Sequence, residues 1–189
     1  MKEFEEKVLK DGIVINDDIL KVDNFLNHQI DVNLIMAMAK DVKEFFGDIK
    51  VDKVLTIEAS GIAIAFAVAQ AYNNVPVVFA KKSKSATVGD DVYATEIKSF
   101  TRNTVSRVTV CNKYLNKGEN VLIVDDFLAE GNAAMGLMDL CNQACAKVTG
   151  YATAVEKEFQ GGRLKIEEKG VKVYSAARVK GFKNNKPIF

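Results

Sequence analysis

The chain has 189 residues, enough for one α/β domain, and 48% of them are hydrophobic, enough for a sizeable core. Lys plus Arg number 26 against 25 Asp plus Glu, a net charge of +1, so nothing in the charge balance calls for nucleic-acid binding. No apolar run reaches the roughly 18 residues of a membrane span, and MKEFEEKVLK lacks the apolar centre of a signal peptide, so a cytoplasmic protein is expected.

In chain order, residues 2–11 read as an amphipathic helix with Phe4 and Val8 inward, ended by Gly12. Residues 13–30 have no clean period and read as short extended pieces and turns. Asp31 is placed to cap a helix running to Phe46, with Leu34, Ile35, Met38 and Val42 inward and Gly47 closing it. Lys53–Glu58 is a core strand, Ala59-Ser60-Gly61 a tight turn, Ile62–Tyr72 an alanine-rich buried helix, and Val75–Ala80 a second strand. Residues 81–103 are polar, a long stretch of the kind that is functional or mobile inside a domain. Thr104–Asn112 is expected to be a strand, paired with part of that stretch as a hairpin. Val121–Asp125, Thr149–Val155 and Val171–Val179 are strands, with helices at Ala133–Ala146 and 163–169. Strand and helix alternate from residue 53 onward, which implies a mostly parallel sheet flanked by helices. Cys111, Cys141 and Cys145 contain no CxxC pair and read as reduced, buried thiols, with Cys141 and Cys145 on one side of a helix.

The segment Val121-Leu122-Ile123-Val124-Asp125-Asp126-Phe127-Leu128-Ala129-Glu130-Gly131-Asn132-Ala133-Ala134 carries the chemistry. A continuous apolar run reads as a strand buried on both faces, and it ends in two carboxylates. Open α/β sheets bind ligands at such strand ends. The loop with Gly131 then opens a helix, whose free N–H groups and positive dipole end attract phosphate. Acceptors for sugar hydroxyls beside a phosphate cradle suit a ribose phosphate. No GxxxxGK[ST] and no GxGxxG follows a strand, so a Walker-type site is excluded and a dinucleotide site is not expected. No His/Cys set has zinc spacing, and His28, the only histidine, is assigned no catalysis.

VLIVDD-FLAEG resembles the signature of the type I phosphoribosyltransferases: four apolar residues, two acids, a short loop with Gly, and a helix. The form Ala129-Glu130-Gly131-Asn132-Ala133 departs from the general family, which has hydroxyl residues beside the glycine. It resembles the loop of the bacterial xanthine phosphoribosyltransferase branch. LKVDNFLNHQID (20–31), TIEASGI (56–62), VPVVFAKKSKS (75–85) and VEKEFQGGR (155–163) are similar, in order, to that branch's hood, diphosphate turn, strand into the catalytic loop, and base-recognition segment.

The resemblance implies one type I phosphoribosyltransferase domain over 1–189, with a small N-terminal hood (1–30) and a flexible catalytic loop. It implies transfer of the phosphoribosyl group from phosphoribosyl diphosphate to N9 of xanthine. In this reading Asp125 and Asp126 are catalytic and receive the ribose hydroxyls. Lys81 joins them as a catalytic cation, with Lys82 and Lys84 also available. Ala129, Glu130, Gly131, Asn132 and Ala133 hold the 5′-phosphate, and Ser60 and Gly61 the diphosphate. Leu20, Asn27 and Lys157 bind xanthine. On residue type alone Asn27 is a turn cap, Leu20 core, the turn at Ser60 either an ordinary strand–helix turn or an anion-binding one, and Phe159 either core or a stacking ring. An ammonium only donates, so Lys157 suits an oxopurine rather than adenine. Mg²⁺ is expected to arrive with the donor, no protein-held metal site is assigned, and a homodimer is implied. Glu130 beside a phosphate has no explanation in the sequence. Two other readings stay open: a phosphoribosyltransferase for guanine or hypoxanthine, and a non-catalytic regulator that senses phosphoribosyl diphosphate.

Overall fold

The structure, a computed structural model, describes residues 1–82, 91–99 and 104–189. Helix α1 (Lys2–Asp11) leads into a hairpin of β1 (Ile13–Ile15) and β2 (Ile19–Lys21), then a π-helical turn at Asp23–Asn27. Helix α2 (Val32–Phe46) starts where the Asp31 carboxylate accepts from the Leu34 N–H at 3.2 Å, as its sequence predicts. Then come β3 (Lys53–Ile57), α3 (Gly61–Ala71), β4 (Val77–Lys82), β5 (Val92–Ser99) and β6 (Thr104–Cys111). Next are β7 (Asn120–Leu128), α4 (Asn132–Gln143), β8 (Lys147–Lys157), α5 (Gly162–Glu167) and β9 (Val173–Val179). A last hairpin joins β10 (Gly181–Lys183) to β11 (Lys186–Ile188).

Seven strands form one sheet in the order β5-β6-β4-β3-β7-β8-β9. The five from β4 to β9 in that order are parallel, and β6 and β5 add an antiparallel edge. One core joins α1, α2, α3 and the hood to one face of the sheet, and a second joins α4 and α5 to the other. From β3 the chain crosses through α3 to β4 on one side; from β7 it crosses through α4 to β8 on the other. The winding reverses between β3 and β7, and their C-terminal ends flank the crevice that such a switch point opens.

The departures from expectation lie at element ends. β7 runs on to Leu128, because residues 125–128 stay paired with Thr153–Glu156 of β8. The acids therefore sit within the strand, and only three residues separate it from α4. β4 begins after Pro76 and takes in Lys81 and Lys82. Among the described residues, ten of the 23 in the polar stretch 81–103 are in strands: β5 pairs with β6 along its whole length, and Ile97 packs toward Gly136 of α4. The rest of the expected catalytic loop, including Lys84, lies outside the described residues. Cys145 is exposed, past the end of α4 with φ +53°, so it does not share a helix face with buried Cys141; Cys111 is half-buried. The β10–β11 hairpin was not anticipated; Asn184 and Asn185, at φ +54° and +55°, make its tight turn. No helix among the described residues is long and apolar enough to cross a membrane.

Candidate active site

Along β7, Val121 and Ile123 join the α4-side core and Leu122 and Val124 the hood-side core. Strand alternation therefore sends the two acids opposite ways. Asp125 points to the α4 side and is 3% exposed, with Oδ1 accepting from the Asp126 N–H at 2.9 Å. Burial, and after it the charge of Asp126, holds its carboxyl well above the usual range; the Lys82 charge opposes the shift. Asp126 points to the hood side and is half-buried, and its Oδ2 accepts a hydrogen bond from the Asn27 side-chain amide. The residue read as base-recognising thus touches a residue read as ribose-binding.

Beyond the acids the chain turns through Ala129-Glu130-Gly131 into α4, with Gly131 at φ +83° and its carbonyl accepting from the Met135 N–H at 2.9 Å. The turn lies against a second backbone: the Gly162 N–H donates to the Ala129 carbonyl at 3.0 Å. A Cβ on Gly162 would stand 2.3 Å from that carbonyl and 2.7 Å from the Gly131 nitrogen, so only glycine fits this contact. Glu130 is half-buried and accepts from the Asn132 amide at 3.2 Å; Asn132 also donates to the Lys98 carbonyl. The Glu130 carboxylate is thus engaged by its neighbour two residues on. Ala133 is half-buried in the first turn of α4.

Opposite, the peptide bond between Glu58 and Ala59 is cis, and Ser60 and Gly61 begin α3. The Ser60 hydroxyl makes no capping bond to the helix. A Cβ on Gly61 would be 2.1 Å from Thr56 Oγ1 and 3.5 Å from Asp125 Oδ1, so this turn presses on the β3 and β7 ends together. The buried Thr56 hydroxyl has no partner among the described residues. The Glu58 carboxylate accepts from the Lys82 backbone N–H, fixing the end of β4. Lys81 and Lys82 are both exposed and, being adjacent on a strand, face opposite sides. Lys82 shares the Asp125 side. Lys81 leans over the Phe79 ring, 6.0 Å from its centroid, and is not brought to the acids within this chain.

Lys157 ends β8, half-buried, and its Nζ donates to the Asp18 carbonyl of the hood turn at 2.9 Å. Burial lowers its pKa, against the raising charge of Asp18. Its ammonium lies 5.7 Å from the Phe182 ring centroid, and Phe182 meets Phe159 edge-on at 5.7 Å. Leu20 is buried on β2 opposite Val14, its side chain in the hood-side core, so β2 presents backbone rather than that side chain. Immediately before Lys157, the buried Glu156 receives Arg163 Nε at 2.9 Å and Nη2 at 2.6 Å, and the Ser175 hydroxyl at 2.6 Å. Burial opposes ionisation of Glu156, but those hydrogen bonds and the charges of Arg163 and Arg178 outweigh it, so its pKa lies below the ordinary value.

Of the residues singled out in the sequence, the structure brings Asn27 to Asp126, Gly61 to Asp125, the 129–131 turn to Gly162, and Lys157 to the hood. It does not bring Lys81 to the acids. Lys82, named only as an available cation beside Lys81, is the one facing Asp125; two features were missed, Phe182 beside Lys157 and the Glu156–Arg163–Ser175 cluster. Only the last left a trace, as a charged residue inside an otherwise apolar strand.

A twisted, mostly parallel sheet with an acid pair beside a helix-opening turn at the switch point is the architecture of a phosphoribosyltransferase. The chain belongs to the phosphoribosyl transferase domain family, which matches residues 21–183. Within it the chain is similar to xanthine phosphoribosyltransferases along its length. It is 52% identical to the one from Clostridioides difficile over 97% of each chain. It is 46% identical to that of Leuconostoc mesenteroides over 100% of each, and 50% identical to that of Clostridium novyi over 100% of this chain and 99% of the other. Among solved structures, adenine phosphoribosyltransferase from Thermoanaerobacter pseudethanolicus superposes with a TM-score of 0.74 at 18% identity, covering 94% of this chain and 99% of that one. That of Saccharomyces cerevisiae does so at 0.74 and 21%, covering 93% and 99%. These likenesses establish the shared fold.

Proposed function

We propose that this protein is a xanthine phosphoribosyltransferase of purine salvage, transferring the 5-phosphoribosyl group of phosphoribosyl diphosphate to N9 of xanthine to give XMP and diphosphate. The observation that carries the reading is the meeting of Asn27, from the hood, with Asp126, at the β7 end, beside a helix-opening phosphate turn. Full-length similarity to xanthine phosphoribosyltransferases agrees with it.

The donor's 5′-phosphate sits in the turn 129–133 at the α4 N-terminus, where backbone N–H groups and the helix dipole favour an anion. The 2′- and 3′-hydroxyls donate to Asp126 and Asp125. As the bond from C1′ to diphosphate lengthens, positive charge grows on the ribosyl ring, and the carboxylates stabilise it. Asp125 is buried with a raised pKa, so the approaching cationic centre and Lys82 favour its ionised form when it is needed. The diphosphate departs over Ser60 and Gly61. Xanthine N9 attacks C1′, with the Lys157 ammonium donating to an oxo group and Asn27 and the backbone of Leu20 bounding the base.

Among the described residues no three of His, Cys, Asp and Glu cluster as a metal cage. Two carboxylates at a strand end fit a hard cation that arrives on the diphosphate and keeps most of its water, as Mg²⁺ does. Mg²⁺ would then neutralise charge on the leaving group. Lys81, which faces away from Asp125, fits a homodimer in which it serves the neighbouring site. The chain is proposed to act as one domain over 1–189, in the cytoplasm.

The test is a steady-state assay with Mg²⁺ and phosphoribosyl diphosphate, offering xanthine, guanine, hypoxanthine and adenine in parallel. Xanthine is expected to give the highest kcat/KM and adenine none. Preference for another base overturns the roles of Asn27 and Lys157, and tight donor binding without turnover overturns the enzyme reading.

A further inference from the structure

We infer that the C-terminal hairpin is a positioning element for base recognition, in which Asn185 and Phe182 set where the Lys157 ammonium sits. This rests on the proposed role of Lys157 as the group that reads the base. The hairpin lies outside every motif that points to the site, yet it reaches Lys157 by two routes.

The first is through the hood turn. The turns at Asn16-Asp17 and Asn184-Asn185, all at positive φ, dock tip to tip. The Asp17 N–H donates to Asn185 Oδ1 at 3.2 Å, and the Asn185 N–H donates to Asp17 Oδ1 at 2.6 Å. The next residue along the hood turn is Asp18, whose carbonyl accepts from Lys157 Nζ at 2.9 Å. The clasp therefore fixes the carbonyl that aims the ammonium. The second route is direct: Phe182 offers its ring to the same ammonium and is steadied edge-on by Phe159. The hairpin is anchored beneath by buried Pro187, opposite Phe182, and by the Lys180 N–H donating to the Ile188 carbonyl at 2.7 Å.

An ammonium has three donors and no acceptor. The Asp18 carbonyl takes one, the ring face attracts the charge from another side, and the remaining donors are aimed where an oxo group can accept. If Lys157 were free to swing, a base would have to immobilise it on binding, and affinity would fall by the entropy of that ordering. The clasp bonds are exposed, so their contribution to global stability is small, while their effect on one carbonyl's position is direct.

The variants Asn185→Gly and Asp17→Gly keep the positive φ and remove the side-chain acceptors. Each is expected to raise the KM for xanthine by about 3- to 10-fold, the range of one hydrogen bond, with the KM for phosphoribosyl diphosphate held. Each single variant removes one of the two clasp bonds, so the double variant should exceed either single one, and Phe182→Leu should act in the same direction. Lys157→Met is run beside them. An unchanged xanthine KM in Asn185→Gly and Phe182→Leu, with a large rise in Lys157→Met, overturns the positioning role and leaves the site reading standing. An unchanged xanthine KM in Lys157→Met sinks that reading. Equal rises in both KM values with a matching fall in Tm would mark the hairpin as scaffold and also overturn the proposal.

Discussion

The fold buries Asp125 where its negative charge is unfavourable, between a hydrophobic core and a second carboxylate. A carboxyl whose folded pKa stands above its unfolded value destabilises the native state once pH exceeds the unfolded value. The penalty is absent below that value and complete above the folded one. Asp125→Asn retains an oxygen to accept from the Asp126 N–H and removes the charge. It is therefore expected to raise Tm at pH 8, to gain nothing near pH 3.5, and to lower kcat at least about 100-fold, as loss of a charge-stabilising group does. Thermal melts at both pH values beside the turnover assay check this; a lower Tm at pH 8 would show the buried charge to be stabilising. The acid pair was legible in the sequence because a charge at the end of an unbroken apolar run stands out. Lys82 was not separable from Lys81, because which of two adjacent residues faces the site depends on where β4 ends and on strand parity.

At the scale of elements, the Glu156–Arg163 pair joins the end of β8, which carries Lys157, to the start of α5, whose Gly162 holds the 129–131 turn. It ties base wall to phosphate turn. Arg163→Met strips the buried Glu156 carboxylate of its two guanidinium donors and leaves it Ser175 and the more distant Arg178 at 3.5 Å, a change that costs at most about 3–5 kcal/mol. Glu156→Gln combined with Arg163→Met should lose less than Arg163→Met alone, since no charge is then stranded. The Glu156 pKa is lowered in the fold, so its favourable contribution is present above the ordinary carboxylate value and fades as pH falls through the lowered one. The gap between wild type and Arg163→Met in urea denaturation should therefore narrow on acidification; a constant gap would remove the charge pair as its cause. Sequence periodicity exposed α1, α2, the buried strands and the β5–β6 pairing, because each has a one-sided or fully apolar pattern. It did not expose β10 and β11, each three residues long, whose order comes from docking against the hood.

At the scale of the molecule, the question is what Lys81 does. It is exposed and on the opposite side of β4 from Asp125, with exposed Phe66, Phe79 and Val105 on the same side of the sheet. Exposed apolar side chains from α3, β4 and β6 on one side of the sheet fit a contact surface. Lys81 is not seated on Asp125 or Asp126 of its own chain. We propose that it serves the site of a second copy related by a two-fold axis, where each subunit would give what it receives. Lys81→Ala and Asp126→Asn should each inactivate their own homodimers. Purified mixed dimers carrying one subunit of each kind then contain one site with an intact Asp126 and a neighbour's intact Lys81. Such dimers are expected to regain about half the wild-type turnover, because the other site lacks both groups. If Lys81 serves its own subunit, each site in the mixed dimer keeps a single defect and no turnover returns. If the chain sediments as a monomer at assay concentration, the shared site fails with it, and Lys82 remains the cation available to Asp125.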